Sequence, residues 1–213
     1  YWFKPTCSSN IQDGTQRIFI KRSGDAPETY LSALSNLKDG CRHMLAANGG
    51  GPQSTVDQIV HPNVWTHVAW QRTANGLEAF VNGKPVLLKG VDPTVWANVF
   101  FDNTAETYVG SVEDYSQANY PQGDFDGSIS QIRLRKGTTY DGAFVPDLLL
   151  SSDANTVMLV NFDIGTGAAI DVSANALQLK QSTVAVENDG PVCTATECGN
   201  GAIEFNEECD DGN

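Results

Sequence analysis

The sequence predicts an all-β protein, a two-sheet antiparallel jelly-roll sandwich with a short Cys-rich C-terminal tail. Between Val64 and Gly83 the side chains alternate with a period of two, as a strand requires and a helix does not. Turns rich in Asn and Gly, at 74–76 and 82–83, divide this stretch into a β-meander. Aromatic residues fall on both faces of its strands, which indicates that each strand is covered on both sides, as in a sandwich.

Further strands are predicted along the rest of the chain from short alternating runs bounded by turn residues. They fall at 17–21, 42–47, 108–110, 128–135 and 155–162. The apolar residues of 30–37 could be spaced for a helix, but the Ser and Asn between them favour a strand followed by a turn. We expect residues 1–5 to form an edge strand, with 170–179 returning beside it to close the sandwich. The stretch 140–146 is expected to wrap across a sheet edge.

Three segments resemble a known family. The Trp-x-His-Val-Ala strand at 65–69, followed by Val-Asn-Gly at 81–83, resembles the laminin-G-like jelly-roll domains of the concanavalin-A-like superfamily. The run FDGSISQIRLRKGTTYDGAFVPD resembles the segment that closes those sandwiches, and ANTVMLVNFD with DVSANALQL resembles their tail. The resemblance implies a sandwich fold, in a superfamily that hosts lectins, adhesion modules, spacers and some hydrolases.

The chain is expected to divide into three parts. Residues 1–184 form the sandwich, 185–197 a linker, and 198–213 a partial acidic Cys-rich repeat. The last part resembles the first half of a cysteine-rich repeat found in multi-module secreted proteins, including myxobacterial surface proteins. Laminin-G-like and cysteine-rich modules also occur together in the pappalysin metalloproteases.

The composition narrows the possible partners. The 213 residues carry a formal net charge of −13, with a sequence pI of about 4.4. Such a surface repels phosphate backbones and anionic membranes and favours cations such as calcium. No run approaches the roughly 18 apolar residues that a membrane span needs. Nucleic acid and direct membrane insertion are therefore not expected.

Five cysteines indicate an oxidising compartment, and hence a secreted or cell-surface protein. Cys7 and Cys41 could join an early loop to a neighbouring strand, and Cys198 with Cys209 could bracket the tail. Cys193 would then be left over. Spacing alone does not determine the pairing.

The motifs of common hydrolases are absent from the sequence. It contains no Glu-x-Asp-x-x-Glu, no His-Glu-x-x-His and no Gly-x-Ser-x-Gly. His67 is interpreted as a structural histidine at an aromatic-flanked strand position. We therefore expect no enzymatic activity.

Structural calcium is the predicted cofactor, because a hard cation is held by the oxygens of acidic loops. The candidate ligands in the sandwich and in the tail are Asp102, Asp114, Asp124, Asp126, Asp210 and Asp211. Two alternatives remain open: Asp126-Gly127 could simply form the turn before a strand, and the tail charges could form a solvated face. Many members of the resembled family carry Asp-Glu where this chain has Ser130-Gln131.

Two loops have the composition of a ligand site, with aromatic rings for stacking and amides for reading hydroxyl groups. The candidates are Trp96, Tyr115, Gln117, Asn119 and Tyr120. The same residues would suit a protein-contact patch, and the aromatic rings could instead fold back onto the sandwich.

Three functions follow from these features. The first is a non-catalytic, calcium-assisted lectin-like binding or adhesion module that recognises a glycan or glycoprotein. The second is a structural module that assembles with other copies of itself, since an edge strand at residues 1–5 would invite pairing. The third is a non-catalytic domain of a large pappalysin-like protease.

Overall fold

A computed structural model describes residues 1–7, 15–22, 30–37, 40–47, 53–90, 106–110, 125–162 and 169–179. These residues form two antiparallel β-sheets packed as a sandwich and contain no helix, which confirms the predicted fold class. It follows that none of the described residues lie in a helix long and apolar enough to cross a membrane. The predicted linker and tail lie outside the described residues.

Successive groups of strands belong in turn to the two sheets of the sandwich. The seven-stranded sheet has the spatial order β13 (Ala169–Asp171), β12 (Thr156–Phe162), β11 (Gly127–Arg135), β1 (Trp2–Pro5), β6 (Thr66–Thr73), β7 (Gly76–Val81) and β8 (Lys84–Val86). The six-stranded sheet has the order β10 (Glu106–Val109), β2 (Thr15–Arg22), β3 (Tyr30–Leu37), β4 (Gly40–Ala47), β5 (Gln53–Val60) and β9 (Leu88–Gly90). The meander of β6, β7 and β8 matches the prediction.

The first strand lies inside a sheet, so the prediction of an edge at residues 1–5 is wrong. β1 pairs with β11 on one side and with β6 on the other. Trp2 and Phe3 point to opposite faces and are both buried, which requires cover on both faces of the strand. The prediction that residues 170–179 return beside β1 is also wrong, because β13 pairs with β12.

Strand β5 was not anticipated from the sequence. Five of the eight residues in its segment QSTVDQIV are polar and it shows no clean alternation, although four of the eight are β-branched. It pairs with β4 and β9, and its Val56 and Val60 are fully buried. The β-branched content was the available signal.

The hydrophobic core lies between the sheets. Phe3, Val68 and Ile132 contribute from the seven-stranded sheet, and Ile18 and Val56 from the other. Along β6, Val68 and Trp70 point into this core. The alternating residues His67 and Gln71 therefore project from the outer face of the seven-stranded sheet.

A disulfide links the two sheets. Cys7, just after β1, is joined to Cys41 on β4, with 5.5 Å between their Cα atoms. The Cys41 side chain is fully buried. The bond therefore connects the centre of one sheet to a central strand of the other.

A buried carboxylate fixes the corner after β13. Asp171 Oδ1 accepts hydrogen bonds from the amides of Leu159 and Ser173, and Oδ2 accepts one from the Leu177 amide. Burial alone would raise the pKa of Asp171, but these hydrogen bonds outweigh burial and lower it. Asp171 is therefore a structural residue that holds residues 171–177 against β12.

Candidate functional site

Residues 136–155, here called the cover segment, connect β11 to β12 by crossing the outer face of the seven-stranded sheet. The Trp2 indole Nε1 donates a 2.8 Å hydrogen bond to the Asp147 carbonyl. The Leu150 amide donates a 2.8 Å hydrogen bond to Gln131 Oε1. Asp147 and Leu150 thus lie over strands in the middle of the sheet. Residues 140–146, predicted to wrap across a sheet edge, instead contact β6, β7 and the turn between β7 and β8.

An aromatic cluster lies between the cover segment and the sheet. Tyr140 and Phe144, from the segment, stack in parallel with their ring centroids 3.6 Å apart. Phe80 on β7 meets both rings edge-on at 5.5 Å. His67 contacts Phe144 and Trp2 in the same manner. Edge-to-face and stacked pairs stabilise beyond simple burial, so the cluster holds the cover segment at a fixed height above the sheet.

Gln71 fixes the start of the cover segment through both the nitrogen and the oxygen of its side-chain amide. Its Nε2 donates 2.7 Å hydrogen bonds to Glu78 Oε2 and to the Tyr140 carbonyl. Its Oε1 accepts 3.1 Å hydrogen bonds from the Thr139 and Tyr140 amides. Gln71 is itself buried. One side chain therefore positions both a carboxylate on β7 and the backbone around Tyr140.

An open groove of about 830 Å³ runs beside this clamp, between the β6–β8 strands and the cover segment. Its wall combines two aromatic rings, exposed apolar side chains, two amides and two carboxylates. Its lining includes Asn75, Glu78, Pro85, Leu87, Tyr140 and Asp141. Rings and apolar surface beside a few polar groups are the usual composition of a small-molecule site.

The groove is acidic. Glu78 is half-buried and Asp141 is exposed, and neither carboxylate forms an ion pair among the described residues. No Lys, Arg or His belongs to the described lining, although Arg133 beside it donates a 3.4 Å hydrogen bond to the Tyr140 hydroxyl. The groove therefore offers hydrogen-bond acceptors and negative charge to a ligand.

Two buried histidines serve the sandwich itself. Trp70 Nε1 donates a 2.9 Å hydrogen bond to His43 Nδ1, and His43 Nε2 is hydrogen-bonded to the Tyr1 hydroxyl. Burial lowers the pKa of His43 to about 3 and holds the pKa of His67 well below its usual value of 6.5. Both rings are neutral at physiological pH and lie in aromatic surroundings, which agrees with the structural role expected of His67.

Most of the residues predicted from sequence for ligand binding, calcium binding or disulfides lie outside the described residues. This holds for Trp96, Tyr115, Gln117, Asn119, Tyr120, Asp102, Asp114, Asp124, Asp210, Asp211, Cys198 and Cys209. Asp126 is described, and it is exposed with its Oδ2 accepting a 2.6 Å hydrogen bond from the Thr6 hydroxyl. Within the described part of the chain, no three His, Cys, Asp or Glu residues lie close enough to hold a metal ion.

The groove was not anticipated from the sequence. Glu78 stood out only as a lone acidic residue on its strand, and Tyr140 only as part of a wrapping segment. One signal was present: in the hairpin of β6 and β7, Gln71 lies directly opposite Glu78 on the outward face. The contribution of Tyr140 and Asp141 depends on the path of the cover segment, which no local pattern specifies.

The fold and groove define an antiparallel sandwich with an open, polar and partly aromatic site on one outer face. The chain belongs to the concanavalin A-like lectin/glucanases superfamily, whose laminin-G-type family model matches residues 1–157. This confirms the family resemblance of the sandwich. The resemblance of residues 198–213 to a cysteine-rich repeat lies outside the match and stays a prediction.

Three known proteins show partial similarity. A putative carbohydrate binding protein from Bacteroides ovatus superposes with a TM-score of 0.54 and 15% identity, over 82% of this chain and 48% of that one. A heptameric SAP-like pentraxin from Limulus polyphemus gives a TM-score of 0.41 and 16% identity, over 59% of this chain and 57% of that one. Protein CER1-like 1 from Arabidopsis thaliana is 28% identical over 110 residues. That alignment spans 51% of this chain but only 16% of the plant protein.

Proposed function

We propose that the sandwich is a non-catalytic, lectin-like module that binds a saccharide chain in the groove beside the cover segment. The observation that carries this proposal is the groove itself: an aromatic ring and apolar rim stand beside side-chain acceptors held in place by Gln71. Sugars present C–H faces to rings and hydroxyl donors to carboxylates and amides. Membership of a lectin-containing superfamily supports the same function.

The open form of the groove favours binding over catalysis. A glycosidase needs two carboxylates about 5 to 9.5 Å apart across the scissile bond, with the acid in an enclosed apolar setting. Asp141 is exposed and Glu78 is half-buried, so neither is enclosed in that way. A reducing-sugar assay on any bound oligosaccharide should show no hydrolysis above the buffer control.

The matched pair Leu87 and Leu149 tests the site. Both side chains are 78% exposed, but only Leu87 belongs to the groove. Replacing an exposed Leu with Gln leaves the fold intact and removes apolar contact surface. On a glycan array followed by calorimetry, L87Q should weaken binding about fivefold, whereas L149Q should bind like the wild type. Binding that is unchanged in L87Q, or absent from the wild type, would contradict the proposal.

Calcium assistance and an extracellular setting complete the proposal. The net charge of −13 favours a divalent cation, and the disulfide between Cys7 and Cys41 favours an oxidising compartment. Repeating the array with chelator tests calcium separately from the groove. Binding that survives chelation would remove calcium from the proposal and leave the saccharide site standing.

A second candidate function, self-assembly, is favoured by a different surface. Ile170, Val172 and Leu177 are 44 to 50% exposed beside β13, which is an edge strand of the seven-stranded sheet. Exposed apolar residues along a strand edge invite pairing with another chain. Light scattering should show association that V172K abolishes. A monomer at every concentration would exclude this function.

A further inference from the structure

We propose that the groove selects positively charged amino sugars over neutral and acidic ones. This inference rests on the proposed saccharide-binding function and adds the charge class of the ligand. It follows from three features of the groove: the sign of its charges, the unused hydrogen-bonding capacity of Glu78, and the rigidity imposed by Gln71.

The first feature is an excess of negative charge. Glu78 and Asp141 contribute two carboxylates to the described lining, which includes no cationic side chain. Two arginines touch the lining from outside: Arg135 is paired with Asp153, and Arg133 donates a 3.4 Å hydrogen bond to the Tyr140 hydroxyl. Charges in a concave site are screened less than charges on a flat surface, because the low-dielectric wall displaces water. A sulfated or uronic-acid chain would meet like charge there, whereas an ammonium group would meet opposite charge.

The second feature is the free acceptor capacity of Glu78. Gln71 is the one described residue that hydrogen-bonds the Glu78 carboxylate, and it donates to Oε2. A carboxylate accepts about four hydrogen bonds, so most of its capacity is open to a ligand. Since Glu78 is half-buried, water solvates its carboxylate incompletely. A charged donor on the ligand would replace the missing hydration with a charge-assisted hydrogen bond.

The third feature is rigidity. Both Nε2 hydrogens of Gln71 and its Oε1 are engaged, with Glu78, Thr139 and Tyr140. Gln71 therefore cannot turn to offer a donor to an acidic sugar. It keeps the Glu78 carboxylate in the groove wall next to the backbone of Tyr140, so the acceptor does not move when a ligand arrives. Gln71 is thus a positioning residue for the groove.

The test compares three oligosaccharides of equal length by calorimetry in mildly acidic buffer of low ionic strength. They are a glucosamine oligomer, its fully N-acetylated form and a galacturonic acid oligomer. We expect the glucosamine oligomer to bind about tenfold more tightly than the acetylated one, and the acidic oligomer to bind most weakly. At high salt the advantage of the amino form should shrink to about twofold, because salt screens the attraction.

Charge-neutralising variants locate the effect. E78Q removes the charge of Glu78 and keeps an acceptor for Gln71. D141N removes the charge of Asp141 at an exposed position. Each should reduce the amino-sugar advantage, and the double variant should abolish it. D147N removes a charge from the cover segment outside the groove lining, so it should reduce the advantage less than either E78Q or D141N.

The outcomes separate the two proposals. Equal affinity for the amino and acetylated oligomers, or tightest binding of the acidic one, overturns the charge preference and leaves saccharide binding established. An advantage that E78Q and D141N do not alter also overturns the inference, because the preference then arises elsewhere. A failure of all three oligomers and of the glycan array to bind overturns the proposed function itself.

Discussion

The indole of Trp70 donates a 2.9 Å hydrogen bond to His43 Nδ1, joining β6 of the seven-stranded sheet to β4 of the six-stranded sheet across the core. Because Nδ1 accepts this hydrogen bond, a neutral His43 carries its proton on Nε2, which faces the Tyr1 hydroxyl. Protonation of Nδ1 would place two donors face to face. The polar link between the sheets therefore requires a neutral histidine.

The first prediction is a loss of stability in mild acid. The pKa of His43 is about 3 in the folded protein and 6.5 in an exposed histidine, so between these values the unfolded chain binds the additional proton. The contribution of His43 is complete above about pH 6.5 and is lost as the pH falls toward 3. The free energy of unfolding should fall by about 1.4 kcal/mol per pH unit from this histidine, and the depressed pKa of His67 adds in the same direction.

Urea denaturation at several pH values measures this dependence. H43Q retains an acceptor for Trp70 and a donor for Tyr1 but cannot titrate, so its stability should depend less steeply on pH. Carboxylates such as Asp171, whose pKa is lowered, contribute equally to the wild type and H43Q, so the difference between the two slopes reports on His43. Identical slopes in the wild type and H43Q between pH 4 and 6 would show that His43 does not control acid stability.

The second prediction concerns the clamp at Gln71. Q71A leaves Glu78 and the backbone around Tyr140 without their hydrogen-bond partners, and should lower the free energy of unfolding by about 2 to 4 kcal/mol. Denaturant titration measures the loss, and K136A at an exposed position of the cover segment is the control. Saccharide affinity should also fall, since the groove wall is no longer held. A loss within 0.5 kcal/mol of the control, about the size of an ordinary surface effect, would contradict the clamp.

Most strands other than β5 could be predicted from sequence, whereas their order in the sheets and the groove could not. Period-two alternation identified β6 and β7, because one face of each strand packs on the core and the other under the cover segment. Alternation does not specify which strands pair with each other. Trp2 and Phe3 place large side chains on both faces of β1, but only the pairing of β1 with β11 and β6 shows that this strand is central. The groove depends on Tyr140 meeting Gln71 across 69 residues of sequence, a contact set by tertiary packing.

The third prediction concerns the Cys7–Cys41 disulfide, which closes a loop with a sequence separation of 34. A loop of this length constrains the unfolded chain enough to stabilise the native state by about 3 to 4 kcal/mol. The C7A/C41A double variant should lose this amount in denaturant titration. Mass spectrometry of a non-reduced digest should recover the two cysteine peptides as one cross-linked species. A digest in which the peptides separate without reductant would disprove the pairing.

The fourth prediction tests how closely the cover segment approaches the turn between β7 and β8. Gly83 has φ of +72°, its carbonyl accepts a 2.9 Å hydrogen bond from the Phe144 amide, and a Cβ added there would collide with the Phe144 carbonyl. Gly137 is the matched control, since its φ is +76° but a Cβ would meet nothing within 4 Å. G137A therefore incurs only the left-handed backbone cost of about 1 kcal/mol.

G83A incurs the same backbone cost and must also displace the cover segment, so it should lose at least about 2 kcal/mol more than G137A. The displacement should expose the aromatic cluster around Phe144, and limited proteolysis should cut G83A within residues 136–155 faster than G137A. Equal stability and equal proteolysis of the two variants would mean that the segment does not rest on the turn. In that case the fixed wall of the groove, on which the saccharide proposal depends, would also be lost.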